Sequence, residues 1–75
     1  MKFYAGIDLH SNNNYIGAID GKGRIVFQKK NPNDLKAILN SFKPFKGEIK
    51  GIVVESTFNW YWLVDGLMEA DYKVH

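Results

Sequence analysis

The spacing of apolar and polar positions changes several times along this chain, and each change marks an element. Phe3 to Leu9 (Phe-Tyr-Ala-Gly-Ile-Asp-Leu) is an apolar run too short for a helix and polar only near its end. That is the pattern of a central strand covered on both faces. Tyr15–Ile19 and Arg24–Lys29 flank Asp20-Gly21-Lys22-Gly23, whose two glycines are suited to the positive φ angles of a hairpin loop. They read as strands two and three. The polar stretch 10–14, His-Ser-Asn-Asn-Asn, reads as a tight connection, because asparagine tolerates left-handed backbone.

Asn31 is placed to cap a helix starting at Pro32, with Asp34 in its first turn. Leu35, Ile38, Leu39 and Phe42 then recur at i, i+3, i+4 and i+7, one helix face, until Pro44 and Gly47 stop the pattern. Ile49–Val54 is a second β-branched run, ending in Glu55. A helix from about Trp60 to Ala70 follows, presenting Leu63, Leu67 and Ala70, and a strand begins near Lys73. Hairpins make the first three strands antiparallel, and helical crossovers return the chain parallel on the other side of strand one. The expectation is one α/β unit with a mixed sheet of order 3-2-1-4-5 and two helices. The alternating pattern at Tyr72-Lys73-Val74-His75 has only begun when the sequence stops, so residues 1–75 read as a single partial domain, truncated at its C-terminus.

Composition narrows this picture little. At 75 residues the chain is one small domain at most, and its 45% hydrophobic and 15% aromatic content is enough for a folded core. The net charge of +2 does not mark a nucleic-acid surface, since Lys29, Lys30, Lys43, Lys46 and Lys50 are interspersed with other residue types. The absence of cysteine excludes disulfides and thiolate metal sites and agrees with a cytoplasmic location. No stretch approaches a membrane span or a signal peptide.

The expected strand order does bring chemistry together. Asp8 lies near the C-terminal end of strand one and Glu55 at that of strand four, and neighbouring strands are about 4.8 Å apart. The gap between these strands is a topological switch point, where ligands favour the crevice. Two carboxylates this close repel unless a cation lies between them, and hard oxygen ligands suit Mg²⁺ or Mn²⁺. Sites that cut or join phosphodiesters hold two such ions and need about three or four carboxylates; this chain offers two at that edge. The other acids are plainer: Asp20 belongs to a turn, and Asp65 and Glu69 to an outward helix face. His10, two residues after Asp8, faces the same side in an extended chain and is a candidate accessory group for a metal, phosphate or base. Trp60, Tyr61 and Trp62 divide between core packing and partner contacts, with Trp60 a candidate for nucleic-acid stacking.

Gly6-Ile7-Asp8-Leu9-His10-Ser11, the Asp20-Gly21-Lys22-Gly23 turn, Val53-Val54-Glu55-Ser56-Thr57, and Leu67-Met68-Glu69-Ala70 followed by Tyr72-Lys73-Val74-His75 together resemble the N-terminal domain of the DEDD-type insertion-sequence transposases, the family that includes the Piv DNA invertase. The resemblance covers nearly the whole chain. It implies a RuvC-like ribonuclease H fold in which four acids (Asp, Glu, Asp, Asp) bind two divalent ions for DNA strand cleavage and transfer. Asp8 and Glu55 match the first two. The other two acids, and a C-terminal domain with a serine nucleophile, are expected beyond His75, so residues 1–75 alone are expected to be inactive. The resemblance also implies DNA as partner and an element-encoded guide RNA. The sequence departs from the family pattern at Phe58 and Asp71, where relatives commonly carry glycine.

Two other readings share the expected fold. One is an ATP-binding half-domain of the actin, sugar-kinase and Hsp70 superfamily. That superfamily wants a glycine two positions after the aspartate, so that backbone amides approach phosphate closely, where this chain has His10, and a threonine or serine two further, where it has Asn12. The other is a docking module without catalysis, in which open sheet edges and the aromatic cluster bind a partner or a second copy in a homo-oligomer.

Overall fold

The computed structural model describes residues 2–56 and 60–75. Four strands, β1 (Phe3–Leu9), β2 (Asn13–Asp20), β3 (Ile25–Pro32) and β4 (Ile49–Ser56), form one sheet of order β3-β2-β1-β4, with helices α1 (Leu35–Phe42) and α2 (Tyr61–Glu69). β1 is central, antiparallel to β2 and parallel to β4. The expected fifth strand is reduced to one parallel bridge, Val74 to Ile52, held by the Ile52 N–H on the Lys73 carbonyl (2.8 Å) and the His75 N–H on the Ile52 carbonyl (2.9 Å).

Burial alternates strictly along β1. Phe3, Ala5, Ile7 and Leu9 are buried, whereas Tyr4, Gly6 and Asp8 are exposed. The expectation that this strand is covered on both faces is therefore corrected: the apolar residues at the exposed positions are Tyr4 and a side-chain-free Gly6, and Asp8 is polar. The core lies on the helix face. Ile7, Ile16 and Ile52 of the sheet meet Ile38 and Phe42 of α1 and Leu63 and Leu67 of α2, with Leu35 and Leu39 half-buried beside them. The i, i+3, i+4, i+7 face of α1 is the one that packs.

Local signals set the element ends, and three differ from expectation. First, Asn31 and Pro32 remain in β3, opposite Asn14 and Asn13, and the cap of α1 is Asp34, whose carboxylate accepts the Lys36 N–H. β3 is an edge strand, where proline is tolerated. Second, Asn14, expected in a connection, is fully buried in β2, and its side-chain amide donates to the Pro32 carbonyl (3.1 Å) and Asn33 Oδ1 (3.0 Å). Third, only Gly23 of the hairpin glycines has a positive φ (81°). Asp20 completes that turn by accepting the Lys22 and Arg24 N–H groups at 2.9 and 3.0 Å.

Helix α2 ends as the Asp71 position suggested. Asp71 takes a left-handed φ of 71°, with its N–H on the Met68 carbonyl (3.0 Å) and the Tyr72 N–H on the Leu67 carbonyl (3.0 Å). This is a Schellman motif with aspartate at the position that favours glycine. Phe58, the other departure, lies outside the described residues.

Candidate acidic site on the open sheet face

The parallel register of β1 and β4 pairs Asp8 directly with Glu55. Directly paired residues in neighbouring strands project to the same face, and here it is the face without helices. Both acids are exposed, and together with Gly6, Tyr15, Gly17 and Val53 they line one hollow of about 250 Å³. The sequence pattern placed the two acids at matching ends of neighbouring strands; the register pairs them directly.

His10 also reaches this place. Its Nε2 lies 3.1 Å from Oδ2 of Asp8, with side-chain exposures of 51% for His10 and 58% for Asp8. The backbone bends back just after β1, the His10 N–H donating to the Asn13 carbonyl at 2.8 Å, and Asn33 Nδ2 donates to the His10 carbonyl at 2.6 Å. The loop that carries His10 is thus tied to the segment between β3 and α1.

Trp60 is placed elsewhere. It lines a hollow with Val54, Val64, Val74 and His75, and its ring packs 4.3 Å from that of Tyr61. Val54 pairs with the buried Ile7, so this hollow belongs to the opposite side of β4 from the carboxylates. Trp62 packs against the core, while Asp65 and Glu69 are exposed on α2. Asp20 stays in its turn, where the hydrogen bond from the Arg24 backbone holds its carboxyl below the usual value.

Two residues that the sequence pattern did not single out join the acids. Tyr15 is the β2 partner of Asp8, and Lys30 the β3 partner of Tyr15. Antiparallel pairing through the hairpin could have revealed Tyr15, which read as an ordinary strand residue, whereas the expected third strand ended at Lys29 and left Lys30 outside it.

The donor chemistry suits half of a metal site. Asp8 and Glu55 supply hard carboxylate oxygens, yet no group of three His, Cys, Asp or Glu able to hold a metal occurs among the described residues. A divalent cation held by this pair would need further ligands from elsewhere.

No sequence-family profile matches the chain, and no curated protein matches it in sequence. Among solved structures, it is similar to the T. thermophilus RuvC protein in complex with a Holliday junction substrate, at a TM-score of 0.75 and 14% identity over 100% of this chain. The fold is RuvC-like. It is also similar, at a TM-score of 0.55 and 17% identity over 96% of this chain, to a Listeria monocytogenes protein assigned as an N-acetylmannosamine kinase. The chain spans 63% of the first structure's length and 33% of the second's. No helix among the described residues is long and apolar enough to cross a membrane.

Proposed function

We propose that these 75 residues are the N-terminal, metal-binding half of a DEDD-type DNA transposase domain. The observation that carries this reading is the direct pairing of Asp8 with Glu55 on the open face at the C-terminal end of the central strand. Ribonuclease H-like fold and motif resemblance agree with it, and the fold likeness to a protein solved with a Holliday junction makes DNA the natural partner.

On this reading Asp8 and Glu55 hold Mg²⁺ or Mn²⁺, jointly with two acids supplied from outside residues 1–75. Such ions, when bound, activate a nucleophile and stabilise the charge on a phosphodiester undergoing in-line displacement. The chain's own part is to fix two carboxylates on adjacent, mutually hydrogen-bonded strands, so that neither has to be ordered on binding. His10 orients Asp8 through Oδ2. Two carboxylates alone do not complete the site, so residues 1–75 by themselves bind but do not cut. A guide RNA belongs to the same reading through the family resemblance.

A protein extending through the remaining acids should cleave and transfer DNA strands in Mg²⁺. Asp8→Asn and Glu55→Gln should each remove that activity at unchanged thermal stability. Activity surviving both substitutions would refute the assignment. The kinase-like fold match keeps a nucleotide-binding reading in view. Calorimetry with magnesium-ATP separates the two: His10 stands against Asp8 where a phosphate would need open space, so the expected result is no heat of binding.

A further inference from the structure

The hollow beside the acids continues across the sheet, and its composition changes on the way. Register places Glu55, Asp8, Tyr15 and Lys30 in one row over four strands, and Val53, Gly6, Gly17 and Gln28 in the next. A second hollow, of about 370 Å³, is lined by Tyr15, Gly17, Gln28 and Lys30, among others. The two hollows share Tyr15 and Gly17, so the Tyr15 ring stands between an acidic side and a basic side.

Gly6 and Gly17, direct partners in the β1–β2 ladder, form the floor. Glycine inside a strand weakens it and commonly marks close approach by a ligand or another backbone. Among the described residues, nothing requires glycine here. A Cβ at Gly17 would meet no atom within 4 Å, one at Gly6 only the Val53 carbonyl at 4.0 Å, and neither residue has a positive φ. The bare floor is therefore suited to something that lies on the sheet.

The side chains around it indicate what that is. Tyr15 is 48% exposed, and its ring makes a T-shaped contact with that of His10 (5.7 Å between centroids, 88° between planes). The Lys30 ammonium is 5.7 Å from the Tyr15 centroid, near the outer limit of a cation–π contact, and is exposed enough to exchange that contact for a phosphate. An aromatic platform with a cation beside it is the pairing by which single strands are held: a base stacks on the ring and the backbone phosphate meets the charge. The carboxylates alone would repel such a strand.

We propose that Tyr15, Lys30 and the Gly6–Gly17 floor form a subsite for one nucleotide of single-stranded DNA, its base on Tyr15 and its phosphate on Lys30, next to the acidic pair. Its placement beside a reacting phosphate rests on the transposase reading above; the subsite itself rests on the row of residues.

The test is fluorescence anisotropy of 5′-labelled dT10 with the 75-residue chain, over a range of salt concentrations, in Mn²⁺ and in EDTA. Tyr15→Ala should weaken binding roughly tenfold, while Tyr15→Phe keeps it. Lys30→Ala should reduce the slope of log affinity against log salt by about 0.7. Gly17→Val should fold at least as stably as the parent, since a β-branched residue suits a strand, yet bind dT10 at least tenfold more weakly. Parental affinity in both Tyr15→Ala and Gly17→Val would overturn the subsite, as would no binding of dT10 in either buffer. A dimer that Gly17→Val dissociates, without change in dT10 affinity, would instead assign the face to a second copy of the chain. Mn²⁺ binding measured separately keeps the readings apart. Bound Mn²⁺ with Tyr15-independent dT10 binding sinks the subsite alone, and Tyr15-dependent binding without Mn²⁺ binding sinks the metal site alone.

Discussion

His10 Nε2 stands 3.1 Å from Asp8 Oδ2 on the face opposite the helices, so one carboxylate oxygen of the acidic pair is already oriented by a neighbouring ring. Groups that orient a metal ligand typically contribute ten- to a hundredfold to metal affinity. Because both side chains are half-exposed, the low end applies. His10→Ala should weaken Mn²⁺ binding about tenfold in a calorimetric titration, and His10→Gln, which retains a donor, should weaken it less. Equal affinity in all three proteins would remove His10 from the site.

The left-handed Asp71 that closes α2 carries a steric penalty that glycine lacks. Asp71→Gly should stabilise the chain by about 1 kcal/mol, partly offset by the greater freedom of glycine in the unfolded state. For a domain of this size that corresponds to a rise of several degrees in Tm, about 4–8 °C per kcal/mol. Thermal melts followed by circular dichroism decide it; a lower Tm would show that the aspartate side chain contributes more than the backbone strain removes.

The Asp20 carboxyl titrates below its ordinary value of 3.8, chiefly because it accepts the Arg24 backbone N–H. Its ionised form is thus favoured in the folded chain. The contribution is complete above the ordinary value and disappears as pH falls through the lowered one. Urea midpoints measured at neutral pH and near pH 3 should converge in Asp20→Asn relative to the parent. An identical acid limb in the two proteins would contradict this role for the turn.

Asn14 is fully buried, and through Asn33 it supports the carbonyl of His10. Asn14→Ala removes the donor to Asn33 Oδ1 and one of two donors to the Pro32 carbonyl, which keeps the Asp34 N–H, at a cost of about 1 kcal/mol. Denaturant unfolding should show this loss with an unchanged m-value. Asn14→Asp should be worse, since it sets a carboxylate against two acceptors.

Much of this architecture is legible in the pattern of residues. Short apolar runs located β1 and β4, period-3.6 spacing located the packing face of α1, and the turn residues set the hairpin, which together place Asp8 and Glu55 on adjacent strands. Where the reading failed, local signals competed. Asn31-Pro32 resembles a helix start, but Asp34 caps the helix and the edge strand keeps the proline. The run of asparagines at 12–14 resembles a loop, yet Asn14 finds partners across the ladder and is buried. The apolar content of β1 suggested cover on both faces, whereas Tyr4, Gly6 and Asp8 all lie on the open one. Tyr15 and Lys30 became visible only through register, because a one-residue shift would have sent both to the other face.

The most direct test of the account is a Mn²⁺ titration of the 75-residue chain followed by electron paramagnetic resonance. Two carboxylates without further protein ligands predict weak binding of one ion, with a Kd on the order of a millimolar. Asp8→Asn and Glu55→Gln should each abolish it, and Asp65→Asn, on the exposed face of α2, should leave it unchanged. Mn²⁺ binding that persists in both Asp8→Asn and Glu55→Gln, or that depends equally on Asp65, would contradict a metal site built on the β1–β4 register.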